Sequence, residues 1–251
     1  MARLIEQVSA HRLAGGTTGQ VAARLLVTMD VLGTPVPETC PIPDAVKCVE
    51  SLTRLMKADF WLRNPDYLAD ELLSELEAAR QSADSVFAHV TRMLGGKEPS
   101  LHRYPMAKFL YGAYERPDNA LAILKSMGLM TPRRVADSGS RSRRDYYLLA
   151  KGLEAVARIR SAVPEVAWYD QQASAVALLA DSTGGRMRNR QYDQPEYRDA
   201  PIGALIEPIT DRVRERAVKL AELCGYELPD LTALTGQSGL PESNALGGNH
   251  E

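Results

Sequence analysis

Five arginines (Arg133, Arg134, Arg141, Arg143, Arg144) fall between positions 133 and 144 against a single acid, Asp137. Guanidinium groups at this density suit phosphate contact, which needs positive charge and reach but carries no base information. A solvated hairpin kept soluble by its charge fits the same residues equally well. Base reading would require Arg, Lys, Asn or Gln along a groove-facing helix. The segment 118–127 offers only Asn119, Lys125 and Ser126, with Arg116 just ahead of it. The nucleic-acid candidates are therefore Arg116, Lys125 and the five clustered arginines, and the expected contact is sequence-tolerant. A second cluster, Gly184-Gly185-Arg186-Met187-Arg188-Asn189-Arg190, could offer backbone N–H groups and guanidinium forks to a phosphate. It lacks the GxxxxGK[ST] order of a nucleotide loop and follows no strand, so a mobile loop between helices is the stronger reading.

Other chemistries find little support. His11, His89, His102 and His250 are scattered, and no HExxH, GxSxG or paired-carboxylate pattern sits at a strand end. The three cysteines, Cys40, Cys48 and Cys224, are odd in number and lack CxxC spacing. That fits reduced thiols better than a disulfide framework or a zinc site. Asp59 falls on the apolar side of its helix, where a carboxylate needs a bonded partner, and a structural bond to an arginine or helix terminus is expected. No catalytic residue, metal or cofactor is expected, and the chain reads as a non-enzyme.

The elements that must position these residues follow from periodicity and turn chemistry. Thr18 can cap a helix with Val21, Ala22, Leu25, Leu26, Met29 and Leu32 on one face, ended by Gly33. The stretch 34–43 holds four prolines and no helical option. Asp44 can cap a helix through Phe60, and Pro65 starts another capped by Asn64. A linker surrounds residues 95–99. Residues 105–114 are predicted as a helix with Met106, Phe109, Leu110 and Ala113 inward. Residues 118–127 form the next, with Leu121, Leu124 and Met127 inward and Gly128 as its stop. Strands are predicted at 129–136 and 145–149, the second with Tyr146 and Leu148 on one face. A helix with Leu153, Val156, Ala157 and Ile159 inward follows, then one after Pro164 to Leu179, then a polar segment over 182–199. A long helix over 201–224 carries the stripe Ile202, Ile206, Ile209, Val213, Ala217 and Leu220.

The order helix, turn, helix, two strands, helix between 104 and 159 is the signature of a winged helix-turn-helix. The segments YPMAKFLYGAY, DNALAILKSMGLM and DYYLLAKGLEAVARI resemble that superfamily. The expected fold is mainly α, a winged helix-turn-helix with a two-stranded β-wing, flanked by additional helices. Its divisions are an N-terminal helical region (1–98), the winged segment (99–162), a C-terminal helical region (163–225) and a disordered tail (226–251). The pair TRLMKADFWLRNPDYLADELL ahead of such a wing is also similar to the middle component of bacterial ABC-three-component systems. The residues that carry this likeness are Asp59, Phe60, Leu62, Arg63, Pro65, Arg103-Tyr104-Pro105 and Tyr111-Gly112. The resemblance implies an anti-phage assembly in which the winged protein bridges a condensin-like, SMC-type ATPase and an effector.

Composition sets the outer bounds. Hydrophobic residues make up 45% and charged residues 25%, with a net charge of −2, so the whole chain has no bulk attraction for nucleic acid. Between 66 and 84 there are six acids against one arginine, Arg80, which suggests a basic contact surface at one end and an acidic or neutral scaffold elsewhere. No window reaches the ~18 apolar residues of a membrane span, and the N-terminus lacks a secretion-type apolar core. A cytoplasmic protein is expected. The leading expectation is an adaptor subunit that docks partner proteins through Ile206, Ile209, Val213 and Leu220 and touches DNA phosphates with its wing. The alternative is a dimeric winged-helix transcription regulator, a homodimer joined through the 201–224 helix.

Overall fold

The computed structural model describes residues 17–95, 106–109, 112–113, 117–136, 142–164, 166–179, 183–229 and 231. The described chain is mainly helical, with a small antiparallel sheet. In chain order it runs α1 (Thr18–Leu32), β1 (Thr34–Pro35), β2 (Ala45–Val49), α2 (Leu52–Arg63), α3 (Pro65–Glu77), α4 (Ala83–Gly95), β3 (Lys108–Phe109) and β4 (Gly112–Ala113). It continues with α5 (Asp118–Ser126), β5 (Met130–Ala136), β6 (Ser142–Leu149), α6 (Ala150–Ala162), α7 (Val166–Ala177), α8 (Gly184–Asp193), α9 (Pro195–Asp199) and α10 (Thr210–Cys224).

The cap of α1 is Thr17 rather than Thr18. Its hydroxyl accepts from the Gln20 N–H, and the Gln20 side chain accepts from the Thr17 N–H at 2.7 Å, the reciprocal arrangement that satisfies two orphan donors. α1 is buried nearly all round, so even Arg24, Thr28 and Asp30 are covered. Each finds a partner, as buried polar groups must. Arg24 Nε donates to Asp59 Oδ1 at 2.5 Å, Thr28 Oγ1 donates to the Arg24 carbonyl, and Asp30 pairs with Lys47 and Arg160. Asp59 thus has the structural arginine partner that its apolar position required.

The segment 44–60 is not one helix. Ala45–Val49 is a strand and Ser51, not Asp44, caps α2, its Oγ accepting from the Arg54 N–H. Val46, Cys48 and Val49 fit a pleated strand well, and pairing with β6 outweighs a helical spacing that a short apolar run shares with either element. Residues 105–114 are also not a helix where described: Lys108–Phe109 and Gly112–Ala113 pair as a short hairpin. Backbone bonds from Lys108 N to Ala204 O and from Ile206 N to Met106 O hold that stretch extended. Tertiary pairing has overridden local periodicity. α4 answers to no predicted element, yet it buries Val86, Phe87, Val90, Met93 and Leu94.

Four strands form one sheet in the order β1-β2-β6-β5. β5 and β6 pair from Met130↔Leu148 to Ala136↔Ser142 without a break, and the turn between them lies outside the described residues. Gly128, at φ +67°, ends α5 and turns the chain into β5. A Cβ at Gly152 would come within 2.1 Å of the Leu129 carbonyl oxygen, so glycine lets α6 close onto the start of this hairpin.

Two apolar cores result. The hairpin core joins Leu25, Leu26 and Met29 of α1, Val49, Leu55, Leu124 of α5, Met130, Tyr146, Leu148 and Val156. The helical core joins Phe60 and Trp61 of α2, α3, α4, Val176, Met187, Tyr197 and α10. The segments 99–162 and 163–225 therefore do not pack as separate blocks, because α1 and β2 complete the hairpin core and α8 to α10 complete the helical one.

Candidate nucleic-acid interface

The β5–β6 hairpin sorts its basic residues by face. Side chains alternate along a strand and directly opposed residues share a face. Met130, Leu148, Pro132 and Tyr146 lie on the face toward the hairpin core, and the same face continues outward to Arg134 opposite Arg144. Both arginines are exposed and neither forms an ion pair with a described residue. Like charges directly opposite destabilise a pair of strands by a few tenths of a kcal/mol to about 1 kcal/mol. The other face carries Arg133 opposite Asp145 and Val135 opposite Arg143. Here the charges are balanced. Arg143 Nε bonds both Asp145 oxygens at 3.0 and 3.2 Å, and its Nη2 lies 3.3 Å from Glu50 Oε1. Asp145 also accepts from the Ser51 N–H, tying the hairpin to the first turn of α2.

Of the predicted contact residues, Arg134 and Arg144 are brought together and exposed, Arg133 is exposed on the opposite face of the hairpin, and Lys125 is exposed on α5. Arg143 is instead engaged with acids of its own chain, because register sets it beside Asp145. Arg141 and Arg116 lie outside the described residues.

α5 points Ala120 and Leu124 inward, with Leu121 half-buried, and exposes Asn119, Ala122, Ile123, Lys125, Ser126 and Met127. Met127, expected inward, is the C-cap residue of α5 and is 52% exposed. In α6, Leu153 and Ala157 are likewise exposed, and Gly152, Ala155 and Val156 form the inner face instead.

The expected docking stripe is internal. Only Thr210–Cys224 is helical, and Ile206, Ile209 and Val213 are buried against the chain's own α3 and α4, with Leu220 packed at the edge of the same core. Ile202, expected on that stripe, is exposed outside the helix. The stretch after Gly225 adds to the cover where described, with Tyr226 stacked 4.7 Å from the Phe87 ring and Leu231 buried. The rest of the tail lies outside the described residues.

The acidic run on α3 is not a solvated face. Asp66, Asp70, Glu71 and Glu75 are all buried. Asp66 Oδ2 accepts from the Ile209 N–H at 2.8 Å. Asp70 takes Arg216 at 2.5 Å, Glu71 takes Arg190 at 3.0 Å, and Glu75 takes both Arg80 and Arg190. Burial raises the Glu71 carboxyl above its usual range despite Arg190. Burial pushes Glu75 the same way, but bonds from Arg80 and Arg190 hold it below that range.

The glycine-arginine cluster is a helix and not a loop. Thr183 caps α8, its hydroxyl accepting from the Arg186 N–H at 3.5 Å, and Met187 and Gln191 face inward. Gln191 Nε2 donates to the Lys57 carbonyl. Lys57 is buried, donates to Tyr197 Oη at 3.1 Å and sits over the Tyr192 and Tyr197 rings. Burial, with Arg188 nearby, lowers its pKa to about 8. Cys48, beside the hairpin's outer face, is pushed up to about 11 by burial and by Asp145, which keeps it a thiol and not a nucleophilic thiolate.

No helix among the described residues is long and apolar enough to cross a membrane. Compared with family models, with curated proteins and with solved structures, the chain has no match.

Proposed function

We propose that this protein is a non-enzymatic adaptor of winged helix-turn-helix type whose wing, the β5–β6 hairpin, contacts nucleic-acid phosphates without reading bases. The strand order β2-β6-β5, with residues of α1, α5 and α6 in its core, supports the winged part of the reading, whereas the first helix of the helix-turn-helix, read at 105–114, is a hairpin where described. The observation that carries the functional reading is the facing pair Arg134 and Arg144. Two guanidinium groups opposed at a hairpin end, without an acid among the described residues, are poorly arranged for stability and well arranged for a bridging phosphate oxygen. α5 supports sequence tolerance, since Asn119 and Lys125 are the only base-reading residue types on an outer surface otherwise made of Asp118, Ala122, Ile123 and Ser126. The sequence resemblance names the partner class, an SMC-like ATPase and an effector of a bacterial defence assembly. The stripe at 206–220 is covered by α3 and α4, which takes away the element meant to join a homodimer and equally the surface expected to dock partner proteins, so the adaptor reading stands on the hairpin and the resemblance.

The test is fluorescence anisotropy of unrelated DNA duplexes across a salt series. Arg134→Ala with Arg144→Ala should weaken all duplexes alike and reduce the slope of log K against log salt by roughly one unit per lost contact. A tight footprint on one sequence that survives the double change overturns the reading.

A further inference from the structure

The ladder of the β5–β6 hairpin fixes more than the face on which its arginines lie. The Leu149 N–H donates to the Leu129 carbonyl at 3.1 Å, one step before Met130↔Leu148, so that pair is a hydrogen-bonded one. Hydrogen-bonded and non-hydrogen-bonded pairs alternate along an antiparallel ladder. Counted outward, Pro132↔Tyr146, Arg134↔Arg144 and Ala136↔Ser142 are all of the second kind. Pro132, which has no N–H to give, fits that placement. At such pairs the opposed Cα atoms are only about 4.5 Å apart and the side chains stand closest. The two arginine stems therefore rise from neighbouring points.

The surroundings of the arginine pair differ between its two sides on this face. Toward the hairpin's base lie Pro132 and Tyr146, the one without a donor and the other buried. Toward its outer end lie Ala136 and Ser142, both exposed. The Ser142 side chain makes no hydrogen bond to a described residue. Residues two apart on one strand are separated by about 7 Å, a gap that an arginine side chain spans. Opposite Ser142, the methyl group of Ala136 is too short to cover the hydroxyl. An anion held between Arg134 and Arg144 thus has one uncharged donor next to it, on the outer side.

We infer that Ser142 Oγ is a third donor of the phosphate site, with the phosphate seated on the outer side of the arginine pair. This rests on the phosphate-contacting reading of the hairpin and adds a residue whose signature differs from that of an arginine. A hydroxyl releases no counterion, so its loss lowers affinity by one factor at every salt concentration. Loss of an arginine also flattens the salt slope.

The test is salt-dependent anisotropy of the full chain on two unrelated DNA duplexes, with a denaturation midpoint measured for every variant. Ser142→Ala should weaken binding roughly tenfold, the scale of one hydrogen bond to a charged acceptor, with slope and midpoint unchanged. Ser142→Thr keeps the hydroxyl and suits a strand, and it should restore binding. Ser142→Asp supplies a counter-charge from within the chain. It should weaken binding further than Ser142→Ala and raise the midpoint, and the rise should vanish when Arg134 and Arg144 are both changed to Ala. If Arg134→Ala with Arg144→Ala flattens the slope while Ser142→Ala changes nothing, Ser142 is not a donor and the hairpin reading stands. If the arginine pair leaves the slope unchanged, the hairpin reading falls and the donor role with it. A loss that Thr does not restore, or one that comes with a lower midpoint, overturns the donor role alone, as does a midpoint rise in Ser142→Asp that persists without the arginines.

Discussion

Two sets of arginines in this molecule meet opposite fates. Those of the C-terminal region, Arg190, Arg212 and Arg216, converge on Asp70, Glu71, Glu75 and Glu77 and fasten three helices together. Those of the hairpin, Arg134 and Arg144, face each other across two strands with no described acid in reach. The first set has its counter-charges built in, whereas the second leaves room for a counter-charge from outside. Charge density along the sequence does not tell these cases apart, because the internal partners lie more than a hundred positions away. Fold placement decides which arginines are structural and which are available.

The largest effect is expected at Arg190. Changing it to Ala leaves Glu71 short of its cation and Glu75 with Arg80 alone. Removing one partner of a buried pair costs about 3–5 kcal/mol. Chemical denaturation should register a loss at the lower end of that range, since Arg190 is partly exposed. A loss under about 1 kcal/mol would mean that the network behaves like a surface salt bridge.

Lys57 sharpens the contrast, as a buried cation beside two tyrosines and no described acid. Its folded pKa of about 8 lies below the ordinary 10.5. Between those values the unfolded chain keeps a proton that the folded chain has released, so this group's contribution to stability rises with pH across that window. At pH 7 the charged form costs about 3 kcal/mol relative to pH 10.5 and above. Lys57→Met should therefore show its greatest advantage over wild type below pH 8, and the advantage should shrink toward pH 10. A difference flat with pH would show that the ammonium is solvated.

The smallest effect is expected at the hairpin itself. Arg144→Glu places opposite charges across the strands and should stabilise the fold by up to about 1 kcal/mol, while weakening DNA binding at low salt. Stability and binding moving in the same direction would break the distinction between the two arginine sets.

Much of the hairpin was legible in the sequence. Gly128, the strand chemistry of residues 130–136 and the alternation of Tyr146 and Leu148 predict elements that the structure contains. Val213 and its neighbours were legible as an apolar stripe, but the identity of its cover was not, because α4 had not been identified. The errors share a cause. In 44–60 and 105–114 the apolar spacing fits a helix, and the deciding hydrogen bonds come from Tyr146, Ala204 and Leu205, distant in sequence. The paired glycines at 184–185 read as a loop, yet Thr183 and the close seat on Ser51 make them a helix start. Of the candidate contact residues, the exposed arginines of the hairpin were readable from composition. Their sorting by face needed the register.

The separation between α3 and its arginines also sets an order of events during synthesis. Glu71 emerges from the ribosome 119 residues before Arg190, and Asp70 146 residues before Arg216. At ordinary translation speeds that wait is on the order of 10 s. The hairpin core can close once Val166 has emerged, well before the helical core can. A nascent chain halted before α8 would hold the residues of the hairpin core together with carboxylates on α3 that still lack the cations of α8 and α10.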